Sequence, residues 1–194
     1  AVAAAAARAG ASVRVIAANI DESVMAALPS GVEVTRVGSA CEMREATMAQ
    51  VIGADALVMT AAVADFRPEA AQASKMKKDP TKTDAPTLRL VRNPDILSEV
   101  GHSAIRPALV VGFAAETGTD EEILANGADK AARKGADYIA LNRVGAGVGF
   151  GDVPNDIRLL DVGGQIVGRY IGSKDEVAAG LVAQMADFLD NLER

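Results

Sequence analysis

The stretch from Val58 to Lys78 changes character more sharply than any other part of the chain. It opens as an apolar run, Val58-Met59-Thr60, passes through Ala61, Ala62 and Asp65, and closes on Lys75, Lys77 and Lys78. Small residues at the end of an apolar strand suit the carboxyl edge of a parallel sheet, where open α/β sheets place their ligands. A carboxylate just past that edge, Asp65, either holds a ribose hydroxyl or shapes the turn ahead of Pro68. Ammonium groups on the loop beyond it either meet phosphate oxygens or are solvated surface. Together these residue types point to one side of a nucleotide site. A second lysine pair, Lys130 and Lys134, is spaced for one helix face, where it meets a phosphate or complements the helix C-terminus. Phe113 ends another apolar run and is either a core residue or a contact for a base.

Other chemistries find little support. The chain has 194 residues, one cysteine, one histidine and a formal charge of −6. Cys41 and His102 exclude an intrachain disulfide framework and a Cys/His zinc cage, and are compatible with a reducing cytoplasm. Cys41 reads as a structural thiol in an amphipathic helix, and His102 as a cap or surface residue at a helix end. No motif pairs a serine with that histidine, so a hydrolase triad is unsupported. The acidic balance argues against general nucleic-acid binding. Ala1 to Ala9 is too short to span a membrane and lacks the flanks of a signal peptide. The run Gly145 to Gly151 has Phe150 where a dinucleotide loop needs its third glycine, and Pro154 where it needs a helix. It reads as a flap.

The positioning elements follow from periodicity and caps. An Ala-rich helix ends at Arg8 and Gly10. Val13 to Ala18 reads as a central strand, Asp21 to Leu28 as a short helix and Val32 to Val37 as a strand. Ser39 and Glu42 make a capping box for a helix through Ile52, and Ala56 to Thr60 is the next strand. This alternation predicts a parallel sheet covered by helices. The segment Ala61 to Thr87 breaks the rhythm, and loops of that length are usually functional or mobile. Leu88 to Val91 restores a strand. Asn93 is then the expected N-cap of a helix to about Val100, with Pro94 at its first position. Leu109 to Ala114 and Tyr138 to Leu141 are strands around a helix that Thr119 or Asp120 caps. Ile157 to Val162 and Ile166 to Tyr170 flank Gly163-Gly164 as a hairpin. Ser173 and Glu176 open a final helix with Val177, Leu181, Met185, Phe188 and Leu192 on one face.

Four motifs, in order and spacing, resemble phosphopantothenoylcysteine synthetase, the ligase half of the bifunctional coenzyme A biosynthesis flavoprotein. They are Ala61-Ala62-Val63-Ala64-Asp65-Phe66-Arg67-Pro68, Lys75-Met76-Lys77-Lys78, Asn93-Pro94-Asp95 and Val111-Gly112-Phe113-Ala114-Ala115-Glu116-Thr117. Asn142, and Gly149 to Asp152 with Asn155, are similar to later motifs of that family. The resemblance covers essentially the whole chain. It implies an α/β fold with a Rossmann-like parallel sheet flanked by helices and a C-terminal β-hairpin used in dimerisation. It further implies a CTP-dependent ligase of the acid–amino-acid class. The carboxylate of 4′-phosphopantothenate attacks the α-phosphate of CTP to give an acyl-cytidylate and pyrophosphate. The amine of L-cysteine then displaces CMP. Carried over by position, Met59, Thr60, Ala61, Asp65, Pro94, Asp95, Ile96, Leu97, Phe113, Lys130 and Lys134 would bind CTP. Lys75 would also bind it and serve acyl-cytidylate formation, and Ala61, Ala62 and Lys75 would meet the acyl substrate. Mg²⁺ is expected on the CTP phosphates, with no protein side chain assigned to it.

The same resemblance implies a cytoplasmic homodimer, no nucleic-acid or membrane partner, and a decarboxylase domain with FMN in the full-length chain. It implies that residues 1–194 are a single ligase domain lacking its first strand, its glycine-rich loop and an Asn-x-Ser-Ser-Gly segment. The alternatives are an NAD(P)-dependent Rossmann oxidoreductase and a non-catalytic nucleotide-binding dimerisation module.

Overall fold

The computed structural model describes residues 1–70, 87–144 and 155–192. Alanine-rich α1 (Val2–Arg8) leads through β1 (Arg14–Ala17) and α2 (Glu22–Ala26) to β2 (Glu33–Arg36). Next come α3 (Ala40–Gln50), β3 (Ala56–Met59) and two short strands, β4 (Phe66–Pro68) and β5 (Leu90–Arg92). Then α4 (Ile96–Gly101), β6 (Leu109–Glu116), α5 (Asp120–Lys134) and β7 (Tyr138–Arg143) continue the alternation. The hairpin β8 (Asn155–Asp161) and β9 (Ile166–Gly172) precedes α6 (Lys174–Leu192).

The main sheet has five strands in the order β3-β6-β7-β8-β9. The pairs β3–β6 and β6–β7 are parallel, and the hairpin adds two antiparallel strands at one side. Parallel strands are covered on both faces, so they are apolar at successive positions rather than alternate ones. Leu109, Val110 and Val111 accordingly run buried one after another in β6. Their side chains divide between two cores. Val110 and Ala114 pack with Ile123, Ile139 and Leu160 beneath α3, α4 and α5. Leu109 and Val111 pack with Ala140, Ile157, Leu159, Val177 and Leu181 beneath α6. The expected α/β architecture is therefore observed.

Helix ends follow the capping chemistry. Thr119 and Glu122 form a reciprocal capping box on α5, which ends at Gly135 with φ 61°. Ser173 and Glu176 do the same for α6. On α3 the box is displaced: Ser39 caps Glu42, but the Glu42 carboxylate accepts from the Gly38 N–H at 2.6 Å.

Three expectations are corrected. Among the described residues the run Val13 to Ala18 does not pair with the five-stranded sheet; β1 pairs in parallel with β2, in a two-stranded sheet. The strand expected at Leu88 to Val91 lies at Leu90–Arg92 and pairs antiparallel with β4, outside the parallel alternation. Leu192 leaves the buried stripe of α6 and is 58% exposed, at the last position of that helix. Among the described residues no helix is long and apolar enough to cross a membrane.

Buried Gly101, at the end of α4, approaches the end of α5. A Cβ there would collide with the Lys134 carbonyl oxygen and lie 2.8 Å from that of Gly135. Both obstacles are backbone, which cannot rotate away. Gly101→Ala is expected to cost about 1–3 kcal/mol of stability, read as a lower urea midpoint at unchanged m-value. An unchanged midpoint would show that the two helices separate freely.

Candidate functional site

Beyond β3 the chain is exposed at Thr60, Ala61 and Ala62, and Asn93 then fixes its path. The Asn93 Nδ2 donates to the Ala64 carbonyl at 2.8 Å, and its backbone N–H donates to the Asp65 carbonyl at 2.8 Å. Arg67 Nη1 reinforces this by donating to the Arg92 carbonyl at 2.7 Å and to Asn93 Oδ1 at 3.1 Å. The β4–β5 ladder continues the clamp. Asp65 itself is exposed at the mouth of this turn.

Asn93 is thus not the cap of α4. Its amide is committed to Ala64, and Asp95, an equally good capping residue, accepts from the Ser98 N–H at 3.2 Å instead. The helix begins at Ile96, so Pro94 lies before it rather than at its first position. Ile96 is buried, which leaves its backbone rather than its side chain for a ligand.

The lysines of α5 converge on this region. Lys134 forms an ion pair with Asp95, and Lys130 Nζ lies 2.8 Å from Glu116 Oε1 at the end of β6. These partners come from α4 and β6, so the pair does more than complement its own helix terminus. Partial burial pushes the Asp95 carboxyl up, but hydrogen bonds from Lys134 and Ser98 and the charges of Lys134 and Arg133 outweigh it. The group is held below the ordinary aspartate value.

Phe113 faces away from these lysines. It packs against the α6-side core, next in sequence to Gly112, whose missing side chain makes room for Leu97 on the opposite face. By strand alternation Val58 joins the Phe113 face, whereas Leu57 and Met59 point toward α3–α5. On the α6 side lies a cavity of about 340 Å³ lined by Thr60, Phe113, Asn142, Asn155, Lys174 and apolar residues of α1, α2 and α6. Asn155 is 9% exposed, and its Nδ2 has no hydrogen-bond partner among the described residues. An unpaired buried donor of this kind typically costs about 1–3 kcal/mol.

The predicted residues therefore form two groups. Asp95, Leu97, Lys130 and Lys134 meet on the α4–α5 side, while Thr60 and Phe113 line the α6-side cavity. Ala61, Ala62 and Asp65 lie between β3 and the Asn93 clamp. Lys75, Lys77, Lys78 and the glycine-rich run Gly145 to Gly151 lie outside the described residues. Cys41 is half-buried on α3. His102 caps α4, with its ring Nδ1 2.8 Å from the Ser98 carbonyl oxygen. Among the described residues no cluster of three or more His, Cys, Asp and Glu side chains is arranged to hold a metal. Sequence reasoning missed the clamping role of Asn93, which its position before a proline disguised as a cap.

Because the Asp95 carboxyl is depressed in the folded state, its stabilising contribution is complete above the unfolded value near 4 and is lost as the pH falls further. Lys134→Met removes the first of the causes that depress it. The variant is expected to be less stable than the parent at pH 7, with a gap that narrows below about pH 4, followed by urea denaturation across pH. A gap independent of pH would exclude this linkage.

Residues 1–189 match the family model described as DNA/pantothenate metabolism flavoprotein C-terminal domain. The chain is 38% identical over 186 residues to the coenzyme A biosynthesis bifunctional protein CoaBC of Vibrio parahaemolyticus, covering 95% of this chain and 44% of that protein. Against the protein of that name from Mycobacterium tuberculosis it is 39% identical over 195 residues, covering 97% and 46%. It spans less than half the length of these relatives. In structure it is similar to the C-terminal domain of a CoaBC protein, with a TM-score of 0.73 at 24% identity, covering 98% of this chain and 81% of that one. The DNA/pantothenate metabolism flavoprotein from Streptococcus pneumoniae gives a TM-score of 0.72 at 14% identity, covering 96% and 85%.

Proposed function

The chain belongs to the DNA/pantothenate metabolism flavoprotein C-terminal domain family, and from that membership we propose that it is a ligase module of coenzyme A biosynthesis. It joins 4′-phosphopantothenate to L-cysteine at the expense of CTP, through an acyl-cytidylate. The observation that carries the reading is the convergence of Asp95, Lys134, Lys130 and Glu116 beside the exposed end of β3, in a chain matched to the family over residues 1–189.

This chemistry needs alignment and charge neutralisation more than a protein nucleophile. Thr60 and Ala61 present backbone groups to the nucleotide, and Asp65 holds the cytidine. Lys130 and Lys134 exchange their carboxylate partners for phosphate oxygens, beside the backbone N–H groups of Asp95, Ile96 and Leu97, which follow Pro94 at the start of α4. Ala61 and Ala62 leave room for the attacking carboxylate, and Lys75 stabilises charge as the acyl-cytidylate forms. The carboxylates nearest the lysine pair are already engaged, which suits Mg²⁺ carried by phosphate oxygens and water rather than by a protein cage. Bound there, Mg²⁺ supplies further neutralisation of the triphosphate.

The relatives' bifunctional name supports a decarboxylase domain, with its FMN, elsewhere in a full-length cytoplasmic protein. Exposed Ile166 and Ile171 on edge strand β9 support the hairpin as a homodimer surface. The present residues then form a single ligase domain that works with an upstream strand and glycine-rich loop.

With the full-length enzyme, pyrophosphate release is expected to require CTP, 4′-phosphopantothenate and Mg²⁺ together; equal turnover with ATP would contradict the CTP specificity. The oxidoreductase and non-catalytic alternatives release no pyrophosphate, so the same assay separates them. Lys75→Gln is expected to abolish acyl-cytidylate formation with the fold intact. Lys130→Gln is expected to raise the KM for CTP about tenfold, and an unchanged KM would return Lys130 to a structural ion pair with Glu116.

A further inference from the structure

We infer that Asn93 is the positioning residue of the candidate site, its amide setting where Asp65 stands relative to the groups that meet the phosphates; this rests on the ligase reading above. Asp65 and the α4–α5 groups reach the nucleotide from separate segments, and Asn93 joins the two. Pro94 and then Asp95, the cap of α4, follow it directly in sequence. In the other direction its Nδ2 donates to the Ala64 carbonyl and its N–H to the Asp65 carbonyl, each at 2.8 Å. Arg67 Nη1 lies 3.1 Å from Asn93 Oδ1 and can only donate, so the amide NH₂ is turned toward Ala64. Pro94 holds the Asn93 backbone in the extended range that this contact uses.

Both flanking elements have support of their own. Ile96 and Val100 of α4 are buried, and Leu97 sits against Gly112. The β4–β5 ribbon is held by its own pairing, from Phe66 with Arg92 to Pro68 with Leu90. The turn between β3 and β4 has much less. Ala61, Ala62, Ala64 and Asp65 are exposed, so side-chain packing restrains little of it. Hydrogen bonds to its backbone must supply its shape. The bond from Asn93 to Ala64 grips the residue next to Asp65 and thereby fixes where that carboxylate stands. With Asp65 on the cytidine, and Lys130 and Lys134 on the phosphates, Asn93 sets the span that the nucleotide has to bridge. Its loss loosens the cytidine end and leaves the phosphate end in place.

The test uses the full-length enzyme, with CMP release followed in the presence of 4′-phosphopantothenate and L-cysteine. Asn93→Ala removes both side-chain bonds. Asn93→Asp keeps the shape and an acceptor for Arg67, whose charge balances the new one, but has no hydrogen to give Ala64. Each variant is expected to raise the KM for CTP about tenfold. Pyrophosphate, which engages the phosphate end alone, is expected to inhibit both with a Ki within about twofold of the parent's. Loss of folded protein lowers kcat without moving KM, so the split between KM and Ki reports position rather than stability. A parental KM for CTP in either variant, or a pyrophosphate Ki that rises along with it, overturns the assignment of Asn93 and leaves the ligase reading standing. If the parent enzyme releases no CMP from CTP under these conditions, the ligase reading itself fails, and this inference with it.

Discussion

The missing side chain at Gly112 decides where α4 can lie. A Cβ at that point would come within 2.5 Å of Leu97 Cδ2 and 2.8 Å of Ile139 Cδ1. With hydrogen there instead, Leu97 rests on the backbone of β6. A helix of six residues has no independent stability, so its place comes from this contact and from buried Ile96 and Val100. The close backbone approach of Gly101 to Lys134 and Gly135 fixes its other end. The ion pair between Asp95 and Lys134 follows from that seating, since one residue opens α4 and the other closes α5. Glycines at two packing points thereby set the electrostatics of one half of the site.

Those electrostatics are balanced rather than simply basic. The chain carries a net charge of −6, and both site lysines of α5 already have carboxylate partners. In the proposed function an incoming polyanion would compete with Glu116 and Asp95 for the same ammonium groups, so its affinity would reflect a difference between two sets of ion pairs. Such an arrangement discriminates against stray anions more than an open cluster of lysines does. It also keeps Lys134, whose side chain is 20% exposed, from being buried without a counter-charge.

Much of this could be read from local pattern. The buried runs of β6 and β7 and the caps of α5 and α6 depend on residues close in sequence, and the structure has them where pattern predicts. What pattern could not reach is identity of partner. Val13 to Ala18 has the same composition whether its neighbour is β2 alone or the main sheet. Leu90–Arg92 is a strand only because Phe66–Pro68 lies opposite it. Asn93 and Asp95 are both good caps, and the choice between them rests on a hydrogen bond to Ala64, 29 positions away. The lysine pair was legible as a pair, whereas its partners, 14 and 39 positions distant, were not. Asn155 was visible only as part of a family likeness, because an unpaired donor is a property of register and burial, not of sequence.

Gly112 and Phe113 face opposite sides of β6, and this two-residue alternation divides the candidate site. Below Gly112 are α4, α5 and their ion pairs; below Phe113 is a mostly apolar cavity with Asn155 in its wall. In the proposed reaction the two reactants differ in part in this way, one a triphosphate and the other a branched aliphatic acid that carries a single phosphate. A single pocket that welcomed both would have to tolerate charge and apolar surface at once, at a desolvation cost for each. On the proposed reading, binding from opposite faces would avoid that conflict, and the exposed edge at Thr60 to Ala62 is where the two would meet. The absence of large side chains at Ala61 and Ala62 would then have a reason beyond turn geometry, as room for two ligands in contact.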